Sequence, residues 1–115
     1  MSNRSRKIYR SMAEAGQAQT IALTGTPPWN STLLQISIHY GAPVTNVGSM
    51  IITKISSVDV VYNQSLYVDD PSIDGKTSDL LLCDIEFVKG DSISVAYLNP
   101  SNVDVGVEVI FEEGQ

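Results

Sequence analysis

The chain has 115 residues, 43% hydrophobic and 17% charged, with a formal net charge of −6, enough for one domain with a core of its own. Four of its seven basic residues (Arg4, Arg6, Lys7 and Arg10) fall in the first ten positions, whereas from Ile21 onward three lysines and no arginine face twelve acids. A body that acidic repels nucleic acid and anionic membranes, so neither is expected as a partner, and a single cysteine, Cys83, excludes an intrachain disulfide.

Residues 1–16 read as a basic N-terminal arm, either a flexible or fused tail or one or two helical turns over "YRSMAEAG" ended by Gly16. No apolar stretch follows the basic start as in a signal peptide, and no apolar run reaches membrane-spanning length, so a product made in the cytoplasm is expected. Residues 17–115 read as a β-sandwich domain of short strands separated by Gly, Pro, Asn and Asp clusters. "QAQTIALTG" is the first strand, and "TPPWN" ends it because prolines cannot sit in a paired strand. "STLLQISIHYG" then alternates, with Leu34, Ile36, Ile38 and Tyr40 on one face and Gln35, Ser37 and His39 on the other. After the loop "APVTNVG", "SMIITKISSV" turns either Ile51 or Ile52 outward. "DVVYNQSLYV" places Val60, Tyr62, Leu66 and Val68 on a shared face. The polar loop "DDPSIDGKTSD" leads to the apolar strand "LLLCDIEFV" and a "KGD" turn. "SISVAYLN" puts Ile93, Val95 and Tyr97 inward, and "VDVGVEVIFEE" alternates along its whole length, from Val103 to Phe111 on the core face.

Seven to eight strands without a long helix predict an all-β, antiparallel β-sandwich of jelly-roll or related Greek-key type with an extended N-terminal arm. The lack of a Cys…Trp…Cys framework argues against an immunoglobulin domain.

The residues offer little chemistry. One histidine, His39, and one cysteine, Cys83, are too few for a structural zinc site, and no nucleophile elbow, P-loop or dinucleotide fingerprint is present. No catalytic residue, cofactor or metal is therefore expected, and the chain reads as a non-enzyme. Asp69, Asp70, Asp74 and Asp79 share one loop and could hold calcium, but their spacing is not that of an EF-hand, and aspartates are ordinary turn formers. Trp29, in "PPWN", could stack on a sugar if exposed or plug one end of the core. Leu98 and Ile110 point away from the core in the alternation, which suggests self-association.

The stretches "VVYNQSLYVDDPSIDGKTSDLLL" and "GDSISVAYLNPSNVDVGVEVIFEE" resemble small β-sandwich proteins encoded among the head genes of tailed bacteriophages. The likeness lies in a Tyr-x-x-Asp-Pro-Ser-type loop (Tyr67, Asp70, Pro71, Ser72), a Thr-Asp pair, and a Gly-Asp turn (Gly90, Asp91) into the closing hairpin. Ser78 stands where the pattern has Thr, with Thr77 before it and Asp79 after. The resemblance covers roughly residues 59–113 and brings no catalytic residues with it. It implies a capsid decoration or head-associated protein of the virion, forming a homo-oligomer such as a trimer and docking on the major capsid protein or other virion subunits. Arg4, Arg6, Lys7, Tyr9 and Arg10 would then dock the arm into an acidic groove. A carbohydrate- or host-surface-binding module of a phage tail or fibre, using Trp29, is the alternative.

Overall fold

A computed structural model describes residues 7–15 and 21–114. Among them eight strands run β1 (Ile8–Ala15), β2 (Ile21–Gly25), β3 (Ser31–Tyr40), β4 (Met50–Ile55), β5 (Gln64–Asp69), β6 (Ser78–Phe87), β7 (Ser92–Tyr97) and β8 (Val105–Glu113). They form two four-stranded antiparallel sheets, ordered β1-β8-β3-β6 and β2-β7-β4-β5. The hydrogen-bonded pairs β1–β8, β2–β7, β3–β6 and β4–β5 alternate between the sheets, as when one long hairpin is wound into two layers. That winding is the strand order of a jelly roll.

The core follows from alternation. Val105, Val107, Val109 and Phe111 of β8 and Ile93, Val95 and Tyr97 of β7 are buried, as their period of two requires. The Phe87 and Phe111 rings meet edge to face, with centroids 4.9 Å apart. Tyr40 and Tyr97 do the same at 5.8 Å.

Three expectations are corrected. Residues 8–15 are not outside the sandwich: β1 pairs with β8 along its whole length, from Ile8↔Glu112 to Ala15↔Val105. One or two isolated helical turns cannot repay their nucleation cost, whereas the β8 edge offers a partner to every residue of β1. The domain therefore begins by Ile8. Second, β3 shifts register between Leu33 and Gln35 against both neighbours, so Leu33 is buried and Leu34 is not in the core. A bulge of one residue swaps the faces on its far side. Third, Val60–Tyr62 is a 3₁₀ turn rather than the start of a strand, and β5 begins at Gln64. Asp59 caps this turn, its carboxylate accepting the Val61 N–H. Of the pair left open in β4, Ile51 faces outward and Ile52 is buried.

Candidate functional site

The residues singled out for chemistry do not converge. His39 is exposed on the outer face of β3, in register with Ser78 of β6. Cys83 lies further along β6 and packs against the core from the inner side. Burial pushes its thiol up, away from the thiolate that nucleophilic work needs. The two side chains therefore stand on opposite faces of one sheet.

The acidic loop is organised around a cation of the chain itself. Lys76 Nζ lies 3.0 Å from both Asp69 Oδ2 and Asp79 Oδ2. The Tyr67 hydroxyl donates to Asp79 Oδ2 at 2.6 Å and to Asp69 Oδ2 at 3.3 Å. The Tyr67 hydrogen bond, then the Lys76 ammonium, hold the Asp79 carboxyl low against the opposing effect of burial. Burial, followed by the Asp79 bond, raises the Tyr67 phenol. Asp70 turns to Ser72 instead, accepting its hydroxyl at 2.7 Å and its N–H at 3.0 Å. Among the described residues no group of three or more His, Cys, Asp or Glu is arranged to hold a metal ion. Lys76→Met should lower stability by about 1 kcal/mol at neutral pH, the scale of a partly exposed ion pair. Asp79 has a depressed folded pKa, so this loss is full above the ordinary carboxylate range and fades as pH falls through the lower folded value. Urea denaturation of both proteins at two pH values checks it.

The opposite end of the sandwich carries a different surface. There the loop between β4 and β5 presents Val58, Val60, Val61 and Tyr62, each at least 66% exposed. Apolar side chains this exposed usually sit on floppy loops, but this tip is braced at every step. Ser56 Oγ accepts the Val58 N–H, and Asn63 Oδ1 accepts the Ser56 N–H. Below it, buried Asp91 accepts the Ser57 N–H and hydroxyl, both at 2.9 Å, and the Val88 N–H at 3.1 Å. Gly90, at φ +99°, makes the turn that brings Asp91 there, and a Cβ on it would lie 3.0 Å from the Ser57 Cβ.

The start of β1 reaches this same end. The Lys7 carbonyl accepts the Glu113 N–H, Gly114 N–H donates to the Asn30 carbonyl, and Asn30 Oδ1 accepts the Lys89 N–H. Lys7 is exposed, and Tyr9 and Arg10 stand in β1 opposite Phe111 and Ile110. Arg4 and Arg6 lie outside the described residues. Trp29, beside Asn30, is partly buried rather than fully presented.

Leu98 and Ile110 are not brought together. Leu98, 78% exposed, follows β7 of one sheet, while Ile110 is partly covered on β8 of the other. On the sheet that Leu98 follows, Val68, Ile51 and Ala96 line up across β5, β4 and β7. Sequence reasoning missed the braced tip because valines and a tyrosine read as strand. The signal present was the pair of side-chain caps, Asp59 and Asn63, around them.

Among the described residues no helix is long and apolar enough to cross a membrane. No protein-family model matches the chain, and no curated protein matches its sequence. Solved structures to which the chain is similar include two at low identity. One is RmlC from Streptococcus suis in complex with dTDP-D-xylose, at 12% identity and a TM-score of 0.42, covering 95% of this chain and 45% of that one. The other is FlhE, at 8% identity and a TM-score of 0.42, covering 97% of this chain and 100% of that one. The chain thus spans less than half of the RmlC chain, and at these values neither likeness bears on function.

Proposed function

We propose that this protein is a non-enzymatic structural subunit of a virus particle, a decoration or head-associated protein that docks on the shell and forms a homo-oligomer. The observation that carries the docking role is the braced apolar tip Val58–Tyr62, set at the same end of the sandwich as Lys7. A rigid apolar projection loses little entropy on binding and has no packing role in its own fold. The particle itself is supported by the resemblance of residues 59–113 to tailed-phage head proteins. Such a subunit acts by mass action, stabilising whichever state of the shell it binds better.

The test is co-sedimentation with purified capsids. The double variant Val60→Asp, Val61→Asp should lose binding while melting like the parent, since both side chains are exposed. Undiminished binding by this variant removes the tip from the docking face. Failure of the parent chain to bind any capsid removes the virion role.

A further inference from the structure

Strand β6 closes one sheet with a bare edge. Among the described residues β3 is its only strand neighbour. Neither β6 nor β5, the corresponding edge of the other sheet, contains a lysine, arginine or proline, the residues that usually guard such edges. Leu80 and Leu82 stand outward on β6, Leu82 at 79% exposure. Leu81, Cys83 and Ile85 face inward yet are only partly buried, because among the described residues no strand lies beyond the edge to cover them.

The backbone limits which part of that edge is open. The Thr77 carbonyl accepts the Tyr40 N–H, so it faces β3. Alternation then turns the backbone groups of Ser78, Leu80, Leu82 and Asp84 to the free side. Two contacts agree with this phase. The Leu80 N–H, lacking a strand partner, is held by Asp79 Oδ1 at 3.0 Å. The Glu86 carbonyl accepts Lys54 Nζ at 2.7 Å, which closes the edge at that end. The open stretch is therefore Ser78–Asp84, and its centre is Leu81.

We propose that this stretch pairs antiparallel with the same stretch of a second copy, about a two-fold axis at Leu81. A self-pairing strand must be compatible with its own reverse, and this one is. Leu80 meets Leu82 of the second copy, Leu81 meets Leu81, and Ser78 meets Asp84. Asp79, already matched by Lys76, meets Cys83. No carboxylate faces another, and the exposed leucines cover each other. A shift that centres the pair on Leu82 instead sets Leu80 against Asp84. The bond from Leu80 N–H to Asp79 is exchanged for one to the Leu82 carbonyl across the interface. The contact is two-fold, so it gives dimers rather than the trimer that the phage resemblance implies, and it does not depend on the virion reading.

Sedimentation equilibrium of the full chain tests this. The expected result is a mass twice that of the 12.5 kDa chain. Leu82→Lys should return it to the single-chain mass while it keeps a cooperative thermal melt, lowered only by the lost association. In a Cys83→Ser background, Leu81→Cys should oxidise to a covalent dimer, because residues opposite each other at a non-hydrogen-bonded position lie about 4.5 Å apart at Cα, within disulfide range. Leu82→Cys in the same background should not. A single-chain mass for the parent, a trimer, or a dimer that survives Leu82→Lys overturns the proposal. Cross-linking through Leu82→Cys but not Leu81→Cys overturns the register.

Discussion

Alanine at Phe111 is expected to remove about 3–5 kcal/mol of stability, the range for deleting a fully buried aromatic ring. Phe111 is 0% exposed, and its ring meets that of Phe87 edge to face at an interplanar angle of 73°. The Phe87 ring in turn lies 5.1 Å from Lys54 Nζ, which reaches across from β4 of the facing sheet. Truncation therefore opens a cavity and strips one partner from a chain of contacts that ties the two sheets together. Domains of this size hold about 5–15 kcal/mol, so the variant should be partly unfolded at ambient temperature if the parent lies at the low end. Val47→Ala, also an apolar truncation but at a residue 82% exposed, should change stability by less than about 0.5 kcal/mol. Urea melts of both against the parent make the comparison. Similar losses for the two would mean that the sandwich core is not centred on Phe111.

That ring was legible before the structure, because β8 alternates without a break, as does β7, the strand before it in the chain. Where a strand keeps strict alternation, the sequence states which face is buried. The information runs out where backbone geometry resets the phase. Leu33 and Leu34 are chemically identical, and only the bulge decides that Leu33 enters the core. Val60–Tyr62 has strand composition, and a capping carboxylate, an amide and a serine hydroxyl fold it into a projection instead. β1 was hidden for another reason. Its sequence, IYRSMAEA, mixes one arginine and one glutamate with apolar residues in no strict alternation, and its pairing depends on the free edge of β8, nearly a hundred residues away. The loop carboxylates were visible, but not that Lys76 would sit between Asp69 and Asp79. Four aspartates in one loop look alike until the chain path decides which of them converge.

Asp91 gives the second large effect and links the core to the proposed docking tip. It is 4% exposed, and it accepts the N–H and hydroxyl of Ser57 and the N–H of Val88, with Lys54 Nζ 3.8 Å away. Asp91→Ala leaves those donors facing an empty site, which should cost about 3 kcal/mol. Burial alone would raise the Asp91 carboxyl, but the amide and hydroxyl of Ser57, the Val88 N–H and the Lys54 charge outweigh it and hold the carboxyl below its usual range. A depressed folded pKa means stability that is fully present above the unfolded value, about pH 4, and that drains as pH falls through the lower folded value. The gap between parent and variant should thus be constant from neutral pH down to that point and then close in acid. Ser57 is the foot of the Val58–Tyr62 tip, so the same variant should raise amide exchange across residues 56–63 and weaken capsid binding more than its global stability predicts. A gap that does not change with pH would assign the loss to packing rather than to the carboxylate. Unchanged exchange at the tip would show that the bonds from Ser56 and Asn63 brace it without Asp91.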